Sequence, residues 1–377
     1  MSFWKIDFKD FVTLQRGYDL PKSQMKDGEV PVLGSNCIIG YHNEAKVEPP
    51  GVVTGRSGTL GFVQFTDVPY WPHNTALWVK DFKGNYPKFV YYKLQTLHLE
   101  NFNAGVSVPT LNRNFLDTLP LQIPDFDIQK RVADILSAYD DLIENNRRRI
   151  QLLEQAARLL YKEWFVHLRF PGHEHVNIKD GVPEGWEKKK IADVCETVGG
   201  GTPSTKVSEY WEGDITWVVP SDVTNNACLV LLDSERRITE KGLRESSAKM
   251  VPAETILMTS RASVGFFALM DREVCTNQGF INIIPHEDDL RMYLLFSLMS
   301  RVAEIRSNAK GTTYPEISKG RFRGMDIVVP SNTLVKEFGR VATDMIQQVR
   351  CLKRSIQRLE AARNLLLPRL MNGEVVV

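Results

Sequence analysis

One stretch of this chain is written twice, and that repeat dictates two long, matching helices. Ile128–Leu160 realigns without a gap on Leu334–Leu366, with Ile150/Ile356, Gln151/Gln357, Leu153/Leu359, Glu154/Glu360, Ala156/Ala362, Leu159/Leu365 and Leu160/Leu366 among the matched positions. Neither Pro nor Gly falls between Ile128 and Arg169. Apolar positions in the first copy follow two seven-residue series: Val132, Tyr139, Asn146, Leu153, Leu160 and Leu136, Ile143, Ile150, Ala157, Trp164. The second copy gives Phe338, Met345, Leu352, Leu359, Leu366 and Ala342, Val349, Ile356, Arg363, Leu370. Spacing that alternates four and three marks a coiled-coil seam rather than a general amphipathic face.

The helix ends carry matching signals. Asp125 or Asp127 can cap the first helix and Pro171-Gly172 stops it; Ser331, Asn332 or Thr333 can cap the second, and Pro368 falls near its end. Gly339 costs the second helix about 1 kcal/mol relative to Ala. Each helix spans about 38 residues, or about 57 Å. One position per seam is polar, Asn146 and Arg363. For Asn146 two readings stand open: a register-fixing seam residue, or a residue at the solvated edge. Helices that leave one unit and return from the other pack antiparallel. This puts the two units at opposite ends of a rod, related by a pseudo-two-fold axis.

Before each helix lies a stretch of short β-type runs and turns. Residues 1–124 contain Gly51–Thr54, Gly61–Phe65, Ala76–Val79 and Leu119–Ile123; residues 180–330 contain Ile215–Val219, Thr255–Thr259, Phe266–Met270, Phe280–Ile284 and Met325–Val329. Helical patches, Tyr86–Leu99 and Leu290–Ser307, interrupt them without regular βαβ alternation, so the class is α+β. The two stretches also resemble each other. Asp10 and Gly17 match Asp193 and Gly200; Thr54–Phe65 resembles Thr259–Leu269, pairing Arg56 with Arg261 and Gly61 with Gly265. His73–Leu77 resembles Thr276–Phe280, pairing Asn74 with Asn277, and Asn103–Pro124 resembles Asn308–Pro330, pairing Pro109 with Pro315. The expected plan is a first unit at 1–124, a helix at 125–171, a second unit at 172–330 with a linker at 172–185, and a helix at 331–377.

Composition excludes several classes. No apolar run approaches the roughly 18 residues of a membrane span, and MSFWKIDFKDF is no signal peptide, so cytoplasmic residence is the default. Cys37, Cys195, Cys228, Cys275 and Cys351 form no C-x-x-C pair and no zinc pattern, which reads as buried, reduced thiols. Net charge is +1, with the second unit acidic and the last helix basic, so a polyanionic partner would need basic groups clustered on one face.

Motifs for chemistry are missing. Gly199–Ser204 (GGGTPS) lacks the spaced glycines and the Lys-Ser/Thr of a phosphate loop, and reads as a flexible turn. Gly55–Gly58 is no nucleophile elbow, and His173–His175 has no third metal-type ligand. No methyltransferase tetrapeptide, dinucleotide fingerprint or convincing nuclease pattern occurs, so no catalytic residue, metal or cofactor is assigned.

What remains is polar and basic loop residues. Arg and Asn pair two-pronged with guanine and adenine edges, and Arg56, Asn74, Arg261 and Asn277 occupy matched places. Each could equally brace its own hairpin or cap a turn. With Ser57 and Ser263 beside them, they form the first candidate DNA cluster. Ser107, Thr110, Asn112 and Arg113, and their counterparts Thr312, Thr313, Ser318 and Lys319, form a second, suited to phosphate. Arg147-Arg148-Arg149 reads as a helix surface facing solvent, a partner or phosphate.

Taken in order, these features resemble the specificity subunit of type I restriction–modification systems, over essentially the whole chain. Two target-recognition-like units each end in a strand such as Pro120–Pro124, followed by the repeated helix. The second unit opens with VPEGWEKKKIADV (Val182–Val194), typical of that family, whereas the first opens with FWKIDFKDF and lacks the P-x-G-W element. The resemblance implies two target recognition domains separated by an antiparallel coiled coil, its seam formed by Leu136, Ile143, Asn146, Ile150 and Leu153 with Met345, Val349, Leu352, Ile356 and Leu359. It implies that each unit reads half of a split, asymmetric site in double-stranded DNA, and that the helices set the gap, no more than about 17 base pairs. The implied partners are two methyltransferase subunits and motor-nuclease subunits, with no turnover by this chain alone. Two other classes stay open: a coiled-coil scaffold that does not read DNA, and a diverged stand-alone DNA-modifying enzyme.

Overall fold

A computed structural model describes residues 3–105, 107–311 and 314–377. The chain divides into two units, one formed by Met1–Ile143 with Arg358–Val377 and the other by Glu144–Gln357. The division falls inside both long helices, which run Phe126–Tyr161 and Asn332–Met371. Asp125 caps the first, its Oδ1 accepting the Ile128 N–H at 2.9 Å.

In the first unit the strands are β1 (Phe3–Asp7), β2 (Thr13–Arg16), β3 (Val30–Leu33), β4 (Ile38–His42), β5 (Gly51–Gly55), β6 (Val63–Thr66), β7 (Trp71–Pro72), β8 (Ala76–Asp81) and β9 (Pro120–Pro124). A four-stranded sheet runs β2-β8-β5-β6, a three-stranded one runs β4-β3-β7, and β1 pairs with β9. The strands of the four-stranded sheet are antiparallel. In contrast, β3 and β7 run parallel. The core joins Phe11, Val52, Leu77, Phe89 and Leu116 to Val132 and Leu136 of the first long helix and to Leu370 and Met371 of the last.

In the second unit the strands are β10 (Ile178–Lys179), β11 (Val182–Pro183), β12 (Glu187–Lys190), β13 (Cys195–Gly199), β14 (Trp211–Val218), β15 (Arg236–Ile238), β16 (Met250–Val251), β17 (Ile256–Thr259), β18 (Phe267–Ala268), β19 (Val274–Thr276), β20 (Phe280–Pro285) and β21 (Asp326–Val329). The topology repeats: β13-β20-β17-β18 matches the first four-stranded sheet, β12-β21 matches β1-β9, and β14 lies parallel to β19. Thus β1, without the P-x-G-W element, makes the same pairing as β12, because a backbone ladder needs extended residues rather than a particular side chain. Tyr161 and Phe165 at the end of the first long helix, Phe338 of the last, and Tyr293 and Phe296 of the helix Leu290–Ser300 form an aromatic cluster in this unit.

The helices run antiparallel within each unit. Asp140 meets Arg363 in the first. Asn146 reaches Ser355 at 3.4 Å in the second, where Trp164 also packs on Phe338. Asn146 is 8% exposed, so it lies inside the seam rather than at its edge. Leu136, Ile143, Ile150, Val349, Leu352 and Ile356 are buried, whereas Leu153, Met345 and Leu359 are half-buried. The buried face is wider than a two-position seam. Glu154, Tyr161, Ile346 and Arg350 are also buried, because each helix covers the body of its unit as well as its partner helix. Glu154 and Arg350, polar residues beyond Asn146 and Arg363, face the body of the second unit, Glu154 bonding Leu229 N, and leave the traced seam series as they were. Buried Arg350 sits 2.7 Å from Glu254 and 4.0 Å from Asp271.

Two further expectations need correction. Cys37 and Cys351 are exposed; Cys195 and Cys275 are buried, and burial pushes each of the latter two thiols up to about 12. The GGGTPS segment is not a loose turn. The Trp217 indole N–H donates to Gly201 O at 2.9 Å and that of Trp211 to Ser204 O at 3.2 Å.

Candidate nucleic-acid interface

Three loops converge at one end of the first four-stranded sheet. Arg56 N and Ser57 N donate to Thr75 O at 2.9 and 3.0 Å, Gly58 N to Pro109 O at 2.9 Å, and Leu111 N to Arg56 O at 2.8 Å. The turn after β5, the loop between β7 and β8, and the loop leading to β9 are thereby stitched together. A fourth segment follows β2. Gly17 admits it, because a Cβ there would lie 2.1 Å from the His73 carbonyl oxygen.

The second unit builds the same junction. Ser260 N donates to Gly279 O at 2.7 Å, Ala262 N to Pro315 O at 2.9 Å, and Ile317 N to Ser260 O at 3.0 Å. Gly200 plays the part of Gly17; a Cβ there would lie 2.0 Å from Asn277 O. These bonds correct the sequence pairing by one residue. Gly55 N donates to Phe62 O as Thr259 N does to Phe266 O, and Leu111 N bonds Arg56 O as Ile317 N bonds Ser260 O, so in the registers Thr54↔Leu77 and Met258↔Ile281 Thr54 is the counterpart of Met258. Arg56 therefore corresponds to Ser260, and Ser57 to Arg261. The parallel registers Val32↔Trp71 and Trp217↔Cys275 make His73 the counterpart of Asn277, and Asn74 that of Gln278. Identical letters misled the alignment, because hydrogen-bond register rather than side-chain identity fixes equivalence.

Several candidates prove to have structural work. Arg56 Nε donates to Asn74 O at 3.0 Å, Arg113 Nη1 to Leu14 O at 2.9 Å. Asn112 accepts from Asn114 N at 3.1 Å, Asn277 Oδ1 from Gly279 N at 2.8 Å, and Ser318 caps the helix Lys319–Arg323. The Thr110 hydroxyl donates to Val108 O at 3.0 Å. Arg261 is about half exposed and faces Glu316 at 3.8 Å. Ser107, Ser263 and Lys319 are exposed and Ser57 is half-buried. Thr312 and Thr313 lie outside the described residues. The pattern brings the two clusters of each unit into one junction, which the sequence had treated as separate.

Residues missed by the sequence reading complete the junction. Asp19 accepts from the Asn74 amide and faces Arg16 at 3.0 Å. The Asn74 hydrogen bond, with Arg16 beside it, holds the Asp19 carboxyl below its ordinary range. Partial burial pulls the nearby His73 down. In the second unit the Thr202 hydroxyl donates to Gln278 Oε1. The shared glycine two residues earlier was the available signal for both. The described residues contain no group of three His, Cys, Asp or Glu placed to hold a metal, and none of their helices is long and apolar enough to cross a membrane. His173–His175 forms an exposed single turn.

The sequence profile of the type I restriction modification DNA specificity domain matches residues 2–155 and 183–361. The chain is 41% identical over 152 residues to the type I restriction enzyme MjaIX specificity subunit of Methanocaldococcus jannaschii, a match covering 40% of this chain and 35% of that protein. It is 25% identical over 331 residues to the HindI specificity subunit of Haemophilus influenzae, covering 71% of each. The crystal structure of a type I restriction-modification S subunit from M. genitalium superposes with a TM-score of 0.67 at 16% identity, over 98% of this chain and 96% of that one, a likeness of fold.

Proposed function

The chain belongs to the type I restriction–modification DNA specificity family, and from that premise we propose that it is the sequence-reading subunit of such a complex. The recognition domains are residues 1–124 and 172–330, and each reads one half of a bipartite, asymmetric site in double-stranded DNA. The helices at 125–171 and 331–377 set the unread gap and dock two methyltransferase subunits; motor-nuclease subunits complete the assembly. The chain supplies recognition and leaves the chemistry to those partners in the cytoplasm.

One observation carries the reading: both units build the same four-segment junction on the same sheet topology, with different side chains on it. A repeated scaffold with divergent surface residues suits two half-sites of different sequence. Backbone ladders hold the junction rigid, as base readout requires. Its polar side chains are of the types that pair with base edges and phosphates.

Mapping the DNA positions methylated by the complex of this chain with its methyltransferase subunits tests the proposal. The expected result is two short sequences at a fixed separation. Absence of any bipartite sequence, or cleavage or methylation by the purified chain alone, would overturn it. Deleting one heptad from both helices in register should change the gap and preserve both half-sites.

A further inference from the structure

At one equivalent place, both junctions hold an amide side chain by a hydrogen bond to a neighbouring segment. Asn74 and Gln278 each stand three residues beyond the paired positions Trp71 and Cys275. Asp19 and Thr202 each stand two residues beyond the close-approach glycines Gly17 and Gly200. Asp19 accepts from Asn74 Nδ2, whereas Thr202 donates to Gln278 Oε1. We propose that Asn74 and Gln278 are the matched base-reading residues of the two units, each pairing with an adenine, and that Asp19 and Thr202 are positioning residues: Asp19 decides which way the Asn74 amide faces, and Thr202 anchors the Gln278 amide in place. The proposal rests on the DNA-reading function argued above.

An amide carries two donors and an acceptor. Two-pronged pairing with adenine uses one amide N–H toward N7 and the amide oxygen toward N6. A freely rotating amide presents the correct edge only part of the time. A carboxylate can only accept, so Asp19 fixes the nitrogen side of Asn74 and leaves one N–H and the oxygen. A hydroxyl can donate or accept, so Thr202 anchors the Gln278 amide without choosing its face; bonded to Oε1, it leaves a lone pair and both N–H groups. The first unit adds a main-chain brace, since Arg56 Nε holds Asn74 O at 3.0 Å. Gln278 is exposed and Asn74 half-buried, so both edges are accessible. Asn277, the sequence's choice, is spent on Gly279 N.

The test is methylation-site mapping with the wild-type complex and with Asn74→Ala, Asp19→Ala, Gln278→Ala and Gln278→Glu. Asn74→Ala should relax one A·T position in one half-site, and Gln278→Ala one in the other. Each should lose roughly 5- to 150-fold in preference, the equivalent of about 1–3 kcal/mol for a two-pronged pair. Asp19→Ala should relax the same position as Asn74→Ala, which a merely structural role would not do. Gln278→Glu, isosteric and without a donor, should exchange adenine for cytosine, and it keeps the idea testable where an alanine variant unfolds. Unchanged sites, or uniform weakening across a whole half-site in a stably folded variant, would overturn the assignment while leaving the functional reading intact. A wild-type complex with no bipartite site would overturn both.

Discussion

Arg363 Nη1 lies 2.5 Å from Asp140 Oδ1, and the other Asp140 oxygen accepts the Tyr92 hydroxyl at 2.5 Å. The cation that interrupts the second seam is thus matched by an anion on the facing helix, and that anion also holds the body of the first unit. Both side chains of the ion pair are about a quarter exposed, so solvent screens the pair only in part. Asp140→Ala takes the facing anion from a half-buried guanidinium, which still donates to Asn364 Oδ1 at 3.0 Å, and the acceptor from a phenol, and should cost about 2–3 kcal/mol in chemical unfolding. The double variant Asp140→Leu with Arg363→Leu should recover much of that loss, since replacing both partners by apolar groups avoids the stranded charge. A double variant no more stable than Asp140→Ala would refute the pairing argument.

Lys93 makes the stability of the first unit depend on pH. It is 5% exposed, and its ammonium donates to Met371 O at 3.3 Å, at the end of the last helix. Burial pulls its pKa from 10.5 to about 8. Between those values the unfolded chain binds the proton more readily, so stability rises as pH rises from about 8 towards 10.5. The gap corresponds to at most about 3 kcal/mol, reduced by the favourable helix C-terminus. Lys93→Met should flatten this rise and raise stability at neutral pH. Equal pH slopes for the two proteins in unfolding experiments would refute the assignment.

Gly200 is fixed by space rather than by backbone angle. A Cβ there would press on the carbonyl oxygens of Asn277 and Thr276 at 2.0 and 2.3 Å, neither of which can move without breaking the β14–β19 junction. Gly200→Ala should therefore cost about 1–3 kcal/mol and blur one half-site only. Gly84→Ala is the control for a glycine substitution: a Cβ there meets nothing, although its positive φ adds backbone strain.

The last helix and the first clamp one segment of the second unit. Glu154 Oε1 accepts Leu229 N at 2.5 Å, and Lys353 binds the Asn226 side chain and Val230 O. Burial pushes the Glu154 carboxyl up and the Lys353 ammonium down. Lys353→Met should speed hydrogen exchange across residues 226–230, while Glu154→Gln, which still accepts the Leu229 N–H, should leave it nearly unchanged. Equal effects of the two variants would argue against the clamp.

Periodicity showed the long helices because each repeats its apolar pattern over many turns, and β-branched runs showed the central strands such as β5, β8, β17 and β20. The short strands β1, β2, β7 and β19 were not legible, because their pairing is decided by distant partners. At the junction, the sequence drew the right loops but paired their residues one place out. Arg56/Arg261 and Asn74/Asn277 match by letter, whereas hydrogen-bond register pairs Arg56 with Ser260 and Asn74 with Gln278. Asp19 and Thr202 were invisible for the same reason: an acid and a hydroxyl share no letter, only a position after a glycine that close packing demands.

Arg113 and Lys319 occupy corresponding places and should nonetheless fail differently when removed. Arg113 Nη1 is bonded to Leu14 O, so Arg113→Ala should lower folding stability by about 1.5–3 kcal/mol. Lys319 lies exposed over Gly199, its ammonium 3.4 Å from where a Cβ would sit, a position suited to phosphate. Lys319→Ala should leave the unfolding midpoint unchanged and weaken DNA binding evenly across sequences. It should also flatten the plot of log affinity against log salt by about one. Measured slopes equal to that of the wild-type complex would show that Lys319 meets no phosphate, and a changed recognition sequence would make it a base reader instead.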